Sequence, residues 1–306
     1  MLPETADRKG FERLPSVPNT RRKFILSAAA AGIAILGADS VLIEPNRPRI
    51  VRQEIALRRW PERLNGFTIA LLSDFHYDPV FSIHPIRKAI RMVNELRPDL
   101  ILLTGDFVTL GLFKLKDEKA ATAAEPCAAL LRQLHAPHGS WAVMGNHDHF
   151  SDPARVTGAL REAGVNVLNN QSAPIENDGA RFWLAGVNDV LGGTADLQRT
   201  ARGVPKDEAT ILMAHEPDYA DYVARFPFVD LQVSGHSHGG QVRFPFVRPF
   251  YLPALARKYI WGLYHIGELT LYTNPGVGTV ALPIRLNCPP EITVFSLSRA
   301  TTLRAP

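Results

Sequence analysis

Trp141-Ala-Val-Met-Gly-Asn146-His147-Asp148-His149 is the stretch that decides how this chain is read. A short apolar run ends at Gly145, and four residues able to hold a metal or carry a proton follow at once. In an α/β protein that is a buried strand delivering functional groups to the carboxyl edge of a sheet, where ligands bind. A polar turn after any strand has a similar composition, so the stretch acquires meaning only from its counterparts.

Four other strand-like runs end in the same way. Phe67–Leu72 runs into Ser73-Asp74-Phe75-His76-Tyr77-Asp78, and Leu100–Leu103 into Thr104-Gly105-Asp106. Thr210–Ala214 runs into His215-Glu216-Pro217, and Asp230–Val233 into Ser234-Gly235-His236-Ser237-His238. Carboxylate oxygens and imidazole nitrogens are ligands for hard and borderline divalent cations. The D-x-H and H-x-H spacings predict paired side chains on one side of an extended segment, which has period two. His84, His135, His138 and His265 stand outside these turns and read as ordinary surface or loop residues.

Between the runs, helical spacing predicts helices from Pro85 to about Leu96, from about Lys119 to Leu134 and from Pro153 to Ala163. This alternation calls for a mostly parallel sheet covered by helices. From Asn166 the texture changes to short strands, Pro174–Glu176 and Arg181–Val187, which read as antiparallel. A helix is expected from Pro217 to about Arg225, and two closing strands at Glu268–Tyr272 and Glu291–Leu297. Ile50–Arg58 alternates apolar and polar residues, as an edge strand does.

The chain has 306 residues, 46% of them hydrophobic, enough for a large core. Its net charge of +4 is unevenly placed: residues 1–38 hold six Lys/Arg against three Asp/Glu, and the remainder 28 against 27. No clustered basic face of the kind nucleic acid needs follows from this, and no nucleic-acid partner is expected. Cys127 and Cys288 are the only cysteines. Cys127 falls on an apolar helix stripe, as a buried free thiol would, and a bond to Cys288 stays open.

Residues 1–45 read as a separate segment, with the functional domain over 46–306. Thr20-Arg21-Arg22-Lys23 precedes an uncharged Ala/Gly-rich run to Ala38 and then a Pro-containing linker, Glu44–Pro48. The paired arginines resemble a twin-arginine export signal. The apolar run of 15 residues from Phe24 is shorter than the roughly 20 needed to span a bilayer. Leu36 stands where a cleavage site prefers a small residue, so retention as an anchor stays open. The twin-arginine export machinery is therefore an expected partner, and the expected location is the cell envelope, across or at the cytoplasmic membrane of a bacterium.

Taken in order, Asp74-Phe-His76, Gly105-Asp106, Gly145-Asn-His-Asp148, His215 and Gly235-His-Ser-His238 resemble the signature of calcineurin-like metallophosphoesterases. The resemblance covers about Ile50 to Leu297. Gly239-Gly-Gln241 and Arg285-Leu-Asn-Cys-Pro-Pro-Glu291 are similar to its membrane-associated phosphodiesterase branch. The resemblance implies an α/β fold, a four-layer α/β/β/α sandwich of two mixed sheets with a dinuclear metal site at the strand carboxyl ends. It implies that Asp74, His76 and His238 bind one divalent ion, that Asn146, His215 and His236 bind another, and that Asp106 bridges them. The mixed nitrogen and oxygen set favours Mn, Fe or Zn over Mg. The implied activity is phosphoester hydrolysis, of diesters first, by a metal-activated hydroxide attacking phosphorus in line. His147 would act at the leaving group and Asp148 would orient it. Phosphomonoesters and pyrophosphates are alternatives for the same site.

Two other readings compete. Gly235-His-Ser237-His-Gly239 matches the G-x-S-x-G elbow of serine hydrolases, which needs an acid and then a histidine downstream of the serine. No carboxylate lies between Ser237 and His265, and no histidine follows Glu268, so chain order excludes it. An exported metal-binding scaffold without turnover would not need His147 and Asp148. Finally, Arg243–Pro253 and Arg257–Tyr264 interleave aromatics with cations and prolines. That composition suits a membrane interface holding a lipid-like substrate, or equally a loop folded back with its rings in the core.

Overall fold

The computed structural model describes residues 19–111 and 116–301. They belong to two compact units, one ending at Asp39 and one beginning at Ser40. The first 18 residues of the expected export segment lie outside the described residues. What is described of the first unit is the helix α1 (Asn19–Ala38), built on alanine, the best helix former, with apolar residues on every side. Phe24, Ile33 and Leu36 are exposed. The helical path continues through Asp39–Ile43 and Glu44–Asn46. Sequence reading ends the apolar run at Ala38. With Val41-Leu-Ile43 added to that path, residues 20–46 are long and apolar enough, by length and composition, to cross a membrane.

The stretch expected as a linker is built into the body. Ser40 and Pro45 are buried. The Ser40 carbonyl accepts from the Arg285 amide at 2.9 Å, and the Glu44 carboxylate accepts from the amides of Asn287 and Cys288.

The strands of the body begin with β1 (Arg49–Leu57), β2 (Phe67–Leu72), β3 (Leu100–Leu103), β4 (Ser140–Ala142) and β5 (Val165–Val167). There follow β6 (Gln171–Asn177), β7 (Ala180–Gly186), β8 (Thr210–Met213) and β9 (Leu231–Ser234), then β10 (Gly262–Ile266), β11 (Leu269–Thr273) and β12 (Glu291–Arg299). One sheet has the order β1-β12-β2-β3-β4-β5, the other β10-β11-β9-β8-β7-β6. In the first, β12 runs antiparallel to β2, and β2 to β5 are parallel. In the second, β7, β8, β9 and β11 are parallel, flanked by antiparallel β6 and β10.

Alternation along each strand separates three apolar cores. Ile69, Leu71, Leu100 and Leu102 point inward to meet Leu184, Ile211, Met213 and Val233 of the second sheet. Ala70, Leu72, Ile101 and Leu103 point the other way. They pack on α2 (Ile83–Leu96), α3 (Ala124–Leu131) and α5 (Pro153–Glu162). The outer face of the second sheet, Ala185, Leu212 and Leu271, is covered by the short helices α6 (Leu197–Thr200) and α7 (Ala220–Val223). This is the four-layer α/β/β/α sandwich, and burial on both faces is why β2, β3 and β8 read as predominantly apolar runs. The short β5, β10 and α6 carry too few residues for a periodic signal. The helices expected at Lys119–Leu134 and Pro217–Arg225 begin as 3₁₀ turns, so α3 and α7 are shorter than expected. Cys127 and Cys288 are both buried free thiols, so the two are not bonded.

At the end of the sandwich away from the strand carboxyl ends, Trp60 joins the sheets. It is fully buried, with ring centroids 6.2 Å from Phe67 of β2 and 4.8 Å from Phe182 of β7, and its Nε1 donates to Leu64 O at 3.0 Å. Trp60→Ala should therefore cost about 3–5 kcal/mol of unfolding free energy. Denaturant titration measures this loss, and a change below about 1 kcal/mol would mean the contact can be replaced by collapse of its neighbours.

Candidate metal centre

The carboxyl ends of β2, β3 and β4 in one sheet and β8 and β9 in the other converge. The turns after them carry Asp74 and His76, Asp106, Asn146 and His147, His215, and His236 and His238. Asn146, His147 and Asp148 open a single helical turn and a half, α4 (Asn146–Ser151). Asp74, His76, Asp106, His236 and His238 all have positive φ, between 41° and 67°. Each such residue costs about 1–3 kcal/mol unless its surroundings hold it. The paired side chains thus converge because both members turn through the left-handed region, and not through the period-two alternation expected from D-x-H and H-x-H. The glycines of two motifs have a steric cause. A Cβ on Gly105 would lie 2.8 Å from Gly145 Cα and 2.9 Å from His215 Nδ1. One on Gly145 would lie 2.7 Å from the Asp106 amide nitrogen.

Three groups of donor atoms form: Asp74, His76 and His238; Asp106, His215 and His236; and His76, Asp106 and His147. Asp106 Oδ2 stands between the sheets, 3.5 Å from His76 Nε2 and 3.2 Å from His215 Nε2. Asp74 Oδ1 is 3.4 Å from His238 Nε2, which is 3.0 Å from His76 Nε2. His236 Nδ1 lies 3.2 Å from His215 Nε2.

A cation fits these contacts. A carbonyl oxygen only accepts, so His215 Nδ1, 2.6 Å from Thr104 O, and His236 Nε2, 2.8 Å from Ala254 O, must each carry the ring proton. Neutral rings then turn two bare lone pairs toward each other and toward a carboxylate, an arrangement of acceptors without a donor. Asn146 Oδ1 is also buried without a partner among the described residues. The residues that could hold divalent ions are thus Asp74, His76, Asp106, Asn146, His215, His236 and His238.

Electrostatics point the same way. Burial, reinforced by neighbouring histidines, pushes His76 and His236 down to about 3, so both rings are neutral at ordinary pH. Burial also pulls on His215, but Asp106, Asp74 and Glu216 hold it well above the usual histidine range. Burial opposes ionisation of Asp106 as well, and facing His215 and His147 outweigh it, keeping the carboxylate charged. Burial and the nearby Asp106 raise Asp74 to about 6, with His215 opposing. The site attracts positive charge.

Two expectations about the reacting groups need correction or refinement. Asp148 does not orient the His147 ring. Its Oδ1 accepts from the amides of Phe107 and Val108 at 2.8 and 3.1 Å, and its Oδ2 from Gly145 at 3.0 Å. It is a clamp between the turns after β3 and β4. The His147 ring is oriented instead by the Leu110 amide, which donates to Nδ1 at 3.0 Å and so leaves the proton on Nε2. His147 packs edge-on to His76 at 4.6 Å, and its own amide donates to Asp106 Oδ1 at 2.9 Å.

Two supports were not recognisable from sequence. The wholly buried Arg285 donates to the carbonyls of Pro275, Gly276, Gly278 and Cys288. It thereby props the loop whose Val277 and Gly278 amides bond Ser73 O and Asp74 O at 2.9 and 2.7 Å. Glu216, beside His215, accepts from the amides of Val190 and Leu191. An arginine or glutamate that bonds mostly to backbone groups leaves no pairing of side chains to find.

A family model described as calcineurin-like phosphoesterase matches residues 67–240. The chain is 33% identical to a Bacillus subtilis protein named uncharacterized metallophosphoesterase YkuE, over 91% of this chain and 97% of that one. It is also 33% identical to Escherichia coli phosphodiesterase YaeI, over 91% and 99%. A Danio rerio transmembrane protein with metallophosphoesterase domain is 32% identical over 87% of this chain and 61% of its own length.

Asp148→Ala would leave three buried amides without an acceptor. Unfolding free energy from denaturant titration should fall by about 1–3 kcal/mol for each. A change within about 0.5 kcal/mol, as for an ordinary surface site, would return Asp148 to a role that only tunes His147.

Proposed function

Because the chain belongs to the calcineurin-like phosphoesterase family, we propose that this metallophosphoesterase cleaves phosphodiesters with two divalent cations held between its sheets. The observation that carries the reading is Asp106 Oδ2, within 3.5 Å of a histidine nitrogen from each sheet, between one donor group on either side. Asp74, His76 and His238 would hold one ion, Asn146, His215 and His236 the other, and Asp106 would bridge. When bound, the ions would polarise phosphoryl oxygens and lower the pKa of a water. Mn, Fe or Zn suits the mixed imidazole and carboxylate set better than Mg.

The chain's own groups do the rest. Burial of Asp74, Asp106 and the four ligand histidines excludes bulk water and strengthens each charge interaction. His147 holds a proton on Nε2, and burial keeps its ring neutral by lowering its pKa. That N–H would donate a hydrogen bond to the leaving oxygen and stabilise the charge developing there, while water supplies the proton. Because its amide is tied to Asp106, the donor stays in register with the bridge. The name of the Escherichia coli relative, a phosphodiesterase, supports diesters over monoesters. The helix α1, with Arg21-Arg22 in its first turn, supports twin-arginine export and attachment at the cell envelope.

On protein reconstituted with Mn, Fe or Zn, bis(p-nitrophenyl) phosphate should be cleaved faster than p-nitrophenyl phosphate, and Asp106→Asn should cleave neither at any metal concentration. A faster monoester rate would overturn the diester reading, and rescue of Asp106→Asn by excess metal would overturn the bridge.

His147→Gln should retain metal but lose about 10²–10³-fold in kcat on diesters with alkoxide leaving groups. The loss should shrink with nitrophenolate, which spreads over its ring the charge that an alkoxide concentrates on oxygen. Equal losses on both would make His147 a phosphate-positioning group only.

A further inference from the structure

From Gln241 to Gly267 the chain carries Arg243, Arg248, Arg257 and Lys258 and no carboxylate. Tyr259 is buried in the core outside the second sheet, but the other rings from Phe244 to Trp261 do not fold back into the core. Phe246 is 108% exposed, Phe250 79% and Tyr251 75%, and Phe244 and Trp261 are about half exposed. Their base is nevertheless fixed. Phe244 and Phe250 pack edge to face at 5.8 Å, and the Arg243 guanidinium lies 4.0 Å over the Trp261 ring. Ala254 and Ile260, on the same stretch, accept from His236 and Ser237, so the exposed face borders the metal centre. Lys258 is paired with Asp221 at 2.8 Å, whereas Arg243, Arg248 and Arg257 have no carboxylate at ion-pair distance among the described residues. A contiguous apolar surface of this kind on a folded body calls for a partner.

The point where the chain enters the body says which partner. Ser40 and Glu44, directly after the apolar helix, are bonded to Arg285, Asn287 and Cys288. The other side of that segment carries the root of the aromatic loop. Val242 bridges Leu286, the Arg243 amide donates to Leu286 O at 2.9 Å, and Arg243 Nε donates to Asn287 O at 2.7 Å. One four-residue segment therefore joins the entry of a membrane-competent stretch to a loop of exposed rings and unpaired arginines. Rings settle at the headgroup level of a bilayer and cations against anionic lipid. We infer that the Arg243–Tyr251 face is a docking surface for an anionic bilayer, which brings the border of the metal centre to the headgroups. The inference does not depend on the diester preference.

The test uses the full chain with one added cysteine, the native Cys127 and Cys288 being buried. A fluorophore is placed by Phe246→Cys, by Asp178→Cys in the exposed turn at the far edge of the second sheet, or by Ala34→Cys in α1. Each protein is reconstituted in phosphatidylglycerol vesicles carrying a headgroup-level spin-labelled lipid. Quenching at Phe246→Cys should exceed that at Asp178→Cys by at least about threefold, and the excess should shrink in phosphatidylcholine vesicles. Quenching at Ala34→Cys with none at Phe246→Cys would overturn docking while leaving the helix in the membrane. An equal response in both vesicles would overturn the assignment to anionic lipid. Disulfide cross-linking between two Phe246→Cys chains without lipid quenching would give the face to a second copy and overturn the bilayer.

Discussion

The structure turns on a meeting of acceptors. Asp106 Oδ2, His215 Nε2 and His236 Nδ1 come together with the protons of both rings held on their outer nitrogens, and His76 Nε2, His238 Nε2 and Asp74 Oδ1 extend the set. Such a cluster repels itself unless positive charge sits inside it. The features around it make sense as what holds it in place. Thr104 O and Ala254 O fix two rings by their far nitrogens, and hydrogen bonding at the outer nitrogen orients a metal-binding histidine and raises its basicity.

Holding that arrangement has a structural cost, and the cost is spread through the turns. Five of the donor residues lie in left-handed backbone, which is uncommon for any residue with a side chain, although aspartate and histidine enter it more often than most. The turns keep this shape because they brace one another. Asp148 ties the turn after β3 to the turn after β4, and Arg285 ties the 275–278 loop behind Asp74. Gly105 and Gly145 let two backbones approach more closely than any Cβ would allow. Behind them, three apolar layers give the turns a rigid base. The site is precise because it stands on strand ends and not on long loops.

The same end of the body has a second character. A few residues from His236 and His238 the chain leaves its ordered turn and exposes phenylalanines and arginines, and the segment that roots them also receives the chain from α1. A polar, buried metal centre bordered by an apolar, cationic rim is a combination suited to chemistry on material held at a surface. The helix α1 and the rim are independent features of the chain, one a long apolar helix and the other a short aromatic loop.

The sequence by itself determined most of the layers, because strands buried on both faces are largely apolar and the helices covering them repeat every three to four residues. It also determined which residues meet, since Asp74, His76, Asp106, Asn146, His215, His236 and His238 each follow such a strand at its carboxyl end. Tertiary structure decided how they meet. Left-handed turns, and not strand alternation, bring Asp74 and His76 to one side, because φ is set by the neighbouring turns and not by residue spacing. Asp148 faces backbone amides 40 residues away and Leu110 takes its expected place on His147, because amide donors look alike in every sequence. Whether Phe246 and Phe250 lie in the core or in solvent depended on how the 241–261 loop is anchored to His236 and Leu286. Hydrophobicity is a property of the residue, but exposure belongs to the folded chain.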